Sequence, residues 1–584
     1  MKTEEKNKVD DVKWNGWGFT DSMFVVQNNE VYFKGNRYSV GNGQEEPLEY
    51  FKEWAAEVLN VDLSDPGITE GDDLPESYPE SNVPNDFLNE LQKNDIQFST
   101  SGENRLRKSH GQTLYEIFTL RLRKLPARIP DIVTWPKSHN QVEMIVKLAV
   151  KFNMVIIPFG GGTSVSGASA CPSEELRPII AVDTSKMNRL LWINKENLTA
   201  CFEAGIVGRE LEQILQSKGF ICGHEPDSYE FSSLGGWVAT RASGMKKNVY
   251  GNIEDILIGF RMVTPSGTLQ KCCDIPRVSC GPDFTHIVLG SEGTLGIITE
   301  ITLKIRPKPS FRKYSSFVFK NFESGVKCMR EIARQRCQPA SVRLMDNEQF
   351  KFGQALRQRT GLLGALKDNL KKFYLFVIKN FEIENICVMT LLFEGYSYEE
   401  LESNFKKISA IAESYEGLCA GEKNGELGYQ LTFIIAYIRD LALTYKVVAE
   451  SFETSVPWDK TLPLCNSVKN CLREACQKMQ ISHYFVSCRV TQTYDTGCCV
   501  YFYLGFNWGN FENPVAVFEH LETLARTEIL KCGGSISHHH GVGKIRSKFY
   551  QSQVSPLGVQ LYTVIKKFLD PHNIFGVGNL LCHL

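Results

Sequence analysis

The chain gathers residues that can bind anions and carry protons into a few short stretches. The first is "PFGGGTSVSG" at residues 158–167. Three consecutive glycines leave a backbone without Cβ atoms, free to turn sharply and aim successive N–H groups at an anion. Pro158, Phe159, Gly160, Gly161, Gly162, Thr163 and Ser164 are thus candidates for a pyrophosphate cradle, with a tight structural turn as the plainer alternative. The register fits neither G-x-x-x-x-G-K-[ST] nor G-x-G-x-x-G. "GHEPDSYEFSSLGGWVATRASG" (residues 223–244) repeats the chemistry with His224, Pro226, Asp227, Ser228, Tyr229, Glu230, Phe231, Ser232 and Ser233, then Thr240, Arg241, Ala242 and Ser243. "GSEGTLGIIT" (residues 290–299) supplies Glu292, Gly293, Thr294, Leu295, Gly296, Ile297 and Ile298, and "YGNIEDILIG" lies between the two. Four such segments in one region suit a long, polar, phosphate-bearing cofactor better than ordinary turns.

"SISHHHGVGK" (residues 535–544) raises a separate question, because three adjacent histidines can be a metal site, a catalytic base or a tag. The internal position excludes a tag. Neighbouring side chains diverge, and zinc prefers spaced ligands, so no metal is expected, although a zinc hydrolase built on His538, His539 and His540 is one alternative. Imidazoles titrate near neutrality, which leaves proton and anion handling, with His540 the first choice for contact and the other two as supports.

The elements that must position these groups are legible in outline. The chain has 584 residues, enough for two to four domains at about 150 residues each. The formal net charge of -2 offers no attraction for nucleic acid. The polar start shows no secretory leader, so the 18 cysteines read as free packing thiols of a reducing compartment. Residues 1–125 form an N-terminal region with an exposed Pro- and acid-rich connection. Residues 126–309 read as a strand–helix–strand domain, with Val142, Ile145, Val146 and Ala149 at helical spacing before the strand "MVIIP". Within residues 310–534, "VKCMREIARQR" and "YEELESNFKKISAIAESY" read as helices. "FYLFVIKNFE", "ICVMTLLFEGY" and "CRVTQTYDTGCCVYFYLGFNW" read as strands. Residues 535–584 return to Gly-rich turns. The most apolar run, "LTFIIAYIRDLALTYKVV", carries Arg439 and Asp440 at its centre and reads as a buried helix, or one beside a membrane or lipid tunnel.

P-x-GGGTS, G-x-x-P-D-S, TRASG and GSEGTLG-I-T, in that order, resemble the FAD-binding domain of the vanillyl-alcohol oxidase and p-cresol methylhydroxylase superfamily. "KWNGWGF", "RIPDIVTWP", "TRASGMKKNVYGNIED", "SVRLMDN", "AYIRDLAL", "SCRVTQTYD" and "SHHHGVGK" narrow the resemblance to its alkyldihydroxyacetonephosphate synthase family, over nearly the whole chain. The resemblance implies an α+β fold: a two-lobed FAD-binding domain plus an α+β cap built on an antiparallel sheet, with residues 535–584 returning to the FAD. It implies non-covalent FAD and a transferase of ether lipid synthesis. That enzyme exchanges the acyl chain of acyl-dihydroxyacetone phosphate for a long-chain fatty alcohol, through attachment at the flavin N5 and without net redox.

The same resemblance assigns residues. Arg439 and Arg343 match substrate-binding and activity-linked arginines, guanidinium being suited to phosphate or carboxylate. Tyr501 matches the proton carrier, although Tyr503 shares its strand parity. His224 and Ser451 are further candidates for substrate contact, and His538, His539 and His540 join Tyr501 as catalytic candidates. The resemblance also implies a homodimer, peripheral membrane contact and the acyltransferase that makes the substrate as a partner. Peroxisomal or glycosome-like residence is expected, addressed by Cys582-His583-Leu584 in place of the N-terminal extension of mammalian members. A flavin oxidoreductase acting on a 2-hydroxy acid, and a flavoprotein that has lost catalysis, are the remaining alternatives.

Overall fold

The computed structural model describes residues 11–38, 46–68, 73–273, 275–357, 381–509 and 511–581. It divides into two compact units, one of Met1–Gly71 with Pro309–Ser535 and one of Asp72–Lys308 with Ile536–Leu584. The N-terminal region read as one piece is therefore shared between them. The reason is packing: Phe24, Val31 and Phe33 of an N-terminal hairpin join Ile434, Tyr437 and Leu441 in one core, whereas Phe87 and Leu91 enter the other unit's core with Val142 and Ile145.

The unit of residues 72–308 and 536–584 has two lobes. The first carries a four-stranded sheet in the order Gln97–Ser99, Ile132–Trp135, Ile179–Asp183, Val155–Phe159, the last three parallel. Helix His139–Lys151 follows Ile132–Trp135, starts at the Ser138 cap, and buries Val142, Ile145, Val146 and Ala149 as the spacing predicts. The closing segment runs beside Val155–Phe159, where the Ile156 N–H donates to the Ile574 carbonyl at 2.7 Å. The second lobe departs from the strand–helix–strand reading. Its five strands, Gly267–Gln270, Leu257–Thr264, Ile297–Lys304, Thr199–Glu203 and Leu190–Asn194, form an antiparallel sheet. The apolar runs are equally strand-like in either sheet type, and the connections decide the direction.

The unit of residues 1–71 and 309–535 is built on a seven-stranded antiparallel sheet. Its order is Leu418–Cys419, Phe311–Phe319, Cys387–Gly395, Ser341–Met345, Tyr484–Thr493, Gly497–Asn507, Val447–Pro457. Helix Glu422–Thr444, the apolar run of the sequence, packs on three of these strands. Its Asp440 accepts the Trp17 N–H at 2.8 Å and pairs with Lys13 at 3.5 Å, which fixes "KWNGWGF" on "AYIRDLAL". Apart from its last two residues, the expected strand "FYLFVIKNFE" lies outside the described residues. Among the described residues no helix is long and apolar enough to cross a membrane, and the described cysteines are free thiols.

Candidate active site

In the two-lobed unit the predicted loops converge. Strand Val155–Phe159 delivers the chain into the glycine triplet, which abuts residues 231–233: a Cβ on Gly161 would lie 1.9 Å from the Phe231 carbonyl oxygen, and one on Gly160 2.2 Å from Ser233 Oγ. Ser233 caps the following turn by accepting the Gly236 N–H at 3.2 Å. The third loop is tied to that turn, since the Glu292 N–H donates to the Ala239 carbonyl at 2.8 Å and Gly290 to Val238 at 3.1 Å. Gly293 lies against Pro158 of the first loop. In the 240–243 segment, Arg241 adopts a positive φ of 52° and faces Glu254 at 3.5 Å, Ser243 donates to Asn252 at 2.7 Å, and Ala242 is buried. Leu295, Ile297 and Ile298 are core residues beneath the loop.

The histidine run belongs to the same constellation. Glu292 accepts the backbone N–H groups of Val542 at 2.7 Å and Gly543 at 2.6 Å, so the loop at 290–296 holds the segment just after the histidines. Burial pushes this carboxyl up to about 7, against the pull of those two N–H groups and of Arg546 and Lys544. His538 Nδ1 and His539 Nδ1 lie 2.8 Å apart. One nitrogen must donate and the other accept, so the pair shares one proton on this edge and cannot hold two imidazolium rings without breaking the bond. His224 is buried edge-on against Trp237, ring centroids 4.9 Å apart. Burial holds it down at about 3, only partly offset by the Gly251 backbone, so it is neutral at physiological pH.

The second unit carries Arg343, Ser451 and Tyr501 on one sheet face, and Arg439 on helix Glu422–Thr444. Arg489 lies directly opposite Tyr501, Tyr501 opposite Glu453, and Met345 opposite Arg489, which puts Arg343, two residues from Met345, on that same face. The Arg489 guanidinium sits 4.5 Å from the Tyr501 ring centre and 5.4 Å from that of Tyr503, and the two tyrosine rings stack at 6.3 Å. A bulge sets this pairing. Thr493 pairs with Cys498, but Thr491 pairs with Cys499, leaving Gln492, at a φ of 25°, as the extra residue. Without it Arg489 would oppose Phe502 and point to the opposite face. Arg343 is buried and donates to Thr432 Oγ1, with its guanidinium 5.4 Å from the Tyr429 ring. Arg439 donates to Glu450 at 3.3 Å and lies 3.7 Å from Asp440. Ser451 pairs across the sheet with Tyr503.

Arg489, Glu453 and Lys544 were not singled out from sequence. Two of them carried a signal. Ser487, Arg489 and Thr491 alternate along a strand and are all buried, a polar stripe inside a core. Lys544 closes the histidine motif, donates to Asn579 at 2.7 Å, and is lowered by burial to about 8.

Residues 130–273 match the family model for an FAD binding domain, and residues 308–580 the model for the C-terminal domain of FAD linked oxidases. An alkyldihydroxyacetonephosphate synthase of Caenorhabditis elegans is 47% identical over 574 residues, covering 98% of this chain and 95% of the relative. The chain belongs to the alkyldihydroxyacetonephosphate synthase family. A Dictyostelium discoideum member is 30% identical, covering 98% of this chain and 93% of its own. A solved alkyldihydroxyacetonephosphate synthase structure superposes with a TM-score of 0.83 at 28% identity over 99% of both chains. p-Cresol methylhydroxylase, with a TM-score of 0.65 at 15% identity over 87% of this chain and 98% of its own, shares the fold alone. The α+β architecture of vanillyl-alcohol oxidase type is thus the observed one, and FAD is the cofactor of the synthase family's fold here. The residues present fit it: Gly160 and Gly161 lay bare backbone against residues 231–233, where a Cβ would collide, and Thr163, Ser164 and the neighbouring N–H groups offer donors.

Proposed function

We propose that the chain exchanges the acyl chain of acyl-dihydroxyacetone phosphate for a long-chain fatty alcohol, giving alkyl-dihydroxyacetone phosphate and a fatty acid for ether lipid synthesis. The match to the synthase family along the whole chain carries this reading. FAD, when bound, supplies an electron-accepting ring that serves the exchange without net oxidation, and it is held non-covalently. The glycine loop and the 226–233 and 290–296 segments position its phosphates.

Arg343 and Arg439 bind the anionic groups of the substrate by charge-assisted hydrogen bonds, and Ser451 adds a hydroxyl contact. Tyr501 carries a proton at its phenolic oxygen, with the Arg489 guanidinium over its ring. The His538–His539 pair, sharing one proton, accepts or returns a proton as a carboxylate departs, and His540 contacts the substrate. His224, being neutral, contributes shape rather than charge. The same proposal includes a homodimer, the acyltransferase that supplies the substrate as partner, peripheral contact with a membrane, and peroxisomal residence through Cys582-His583-Leu584. Those three residues lie outside the described residues.

Incubation of the holoenzyme with palmitoyl-dihydroxyacetone phosphate and labelled hexadecanol tests the reaction. A labelled ether product supports it. FAD-loaded protein that forms none, or whose flavin is instead bleached by a 2-hydroxy acid under anaerobic conditions, overturns it.

A further inference from the structure

Arg439 is already engaged by acids. Helix Glu422–Thr444 ends shortly after it, Lys446 takes a positive φ of 59°, and the chain reverses into strand Val447–Pro457. From Arg439 to the helix end is about 7.5 Å, and from the strand start to Glu450 about 10 Å, so the two residues return side by side. The guanidinium donates to one Glu450 oxygen at 3.3 Å and lies 3.7 Å from Asp440. The other Glu450 oxygen accepts the Ser451 backbone N–H at 3.0 Å. Glu450 thus stands between Arg439 and Ser451, both of which bind substrate in the proposed reaction.

The two carboxylates are not equally free to withdraw. Asp440 accepts the Trp17 N–H at 2.8 Å, pairs with Lys13 at 3.5 Å, and is so closely packed that a Cβ on Gly16 would lie 2.4 Å from its Oδ2. Glu450 sits on a longer arm, held by Arg439 and by the N–H of its own neighbour. Burial raises its carboxyl above the ordinary range, against the pull of Arg439 and of that N–H. Both carboxylate contacts of Arg439 are longer than the about 2.7–2.9 Å of a well-made charge-assisted bond. Lys13, Arg439, Asp440 and Glu450 together balance in charge. A further anion at Arg439 therefore makes the set net negative unless a carboxylate withdraws, and Glu450 is the one that can. A phosphate, with more charge and more acceptor oxygens than a carboxylate, competes for the guanidinium fork, and a ligand without one does not.

We propose that Glu450 is a specificity-determining residue: it pairs with Arg439 until the phosphate of acyl-dihydroxyacetone phosphate displaces it. Substrates lacking the phosphate are disfavoured because nothing in them offsets the broken Arg439–Glu450 contact. The inference rests on the reading of Arg439 as a substrate-binding residue.

Steady-state kinetics of the FAD-loaded enzyme with palmitoyl-dihydroxyacetone phosphate and hexadecanol test it. Glu450→Gln removes the competing anion and should lower the KM for the phosphorylated substrate about tenfold, with kcat moving less and FAD retained. Glu450→Asp keeps the charge on an arm one methylene shorter and should also lower KM, which carries the test if Glu450→Gln misfolds. Neither variant should tighten inhibition by palmitoyl-dihydroxyacetone, which has no phosphate. Arg439→Gln should raise KM, and adding Glu450→Gln to it should bring no gain. A KM that is unchanged or raised in the folded Glu450 variants overturns the proposal. So does a gain that persists without Arg439 or extends to the unphosphorylated ligand, either of which reduces Glu450 to a source of general charge. An unchanged KM in Arg439→Gln overturns the reading of Arg439 and this proposal together. If no ether product forms, calorimetric binding of palmitoyl-dihydroxyacetone phosphate without alcohol replaces KM, so that the proposed reaction and this exchange fail separately.

Discussion

Glu292 holds Gly543 across the two-lobed unit: one carboxylate oxygen accepts the Gly543 N–H at 2.6 Å while the other accepts Val542 at 2.7 Å. Because the loop of Glu292 also lies against the glycine cradle through Gly293 and Pro158, one buried side chain couples the cofactor loops to the histidine run.

Glu292→Gln should loosen that coupling. An amide offers one acceptor where the carboxylate offers two, leaving one N–H facing a donor, at a cost of about 1–3 kcal/mol. FAD fluorescence on heating should report release at a lower temperature. The substitution should also change the pH profile. With a folded value of about 7 against an ordinary 4.5, this carboxyl makes stability fall as pH rises through that window. The variant should lose that component, and an identical profile would contradict the assignment.

Gly161→Ala puts a methyl 1.9 Å from the Phe231 carbonyl, in backbone that cannot yield without moving a whole loop. The variant should be less stable by about 1–3 kcal/mol and should be purified with little FAD. Full flavin content, measured by absorbance, would mean the triplet is not the cradle.

Tyr501→Phe should retain FAD and lose turnover by about 10²–10⁴-fold, whereas Tyr503→Phe should retain most of it. Arg489→Gln should retain FAD and lower turnover, because the cation over the Tyr501 ring is lost. Steady-state assays separate these outcomes. An active Tyr501→Phe enzyme would remove that residue from the chemistry.

His224 gives the fold an acid limb. Its folded value near 3 lies below the ordinary 6.5, so the stability it confers is complete above 6.5 and is lost as pH falls from there toward 3. The slope approaches about 1.4 kcal/mol per pH unit at most. Denaturant midpoints at pH 7 and pH 5 should lie closer together in His224→Phe than in the parent.

What the sequence revealed follows from what is local. The glycine triplet after "MVIIP", the helix over Val142, Ile145, Val146 and Ala149, and the strands around Tyr501 are written in nearest neighbours and periodicity. The direction of Thr199–Glu203 and Ile297–Lys304 is not, because a largely buried strand has the same composition in either sheet type. Arg489 was missed for a geometric reason. A simple hairpin drawn from the "DTG" turn faces it toward Phe502, and only the extra residue Gln492 turns it to Tyr501. Glu292 was included as one residue of a Gly-rich loop, but its grip on a segment 250 residues later depends on tertiary packing.

The most direct test of the account is anaerobic turnover in a sealed cuvette, with acyl-dihydroxyacetone phosphate and hexadecanol as the only substrates and no electron acceptor. The account predicts ether product exceeding the flavin many-fold, with the spectrum of oxidised FAD at the end. Product capped at one equivalent per flavin, or a flavin left reduced, would contradict it.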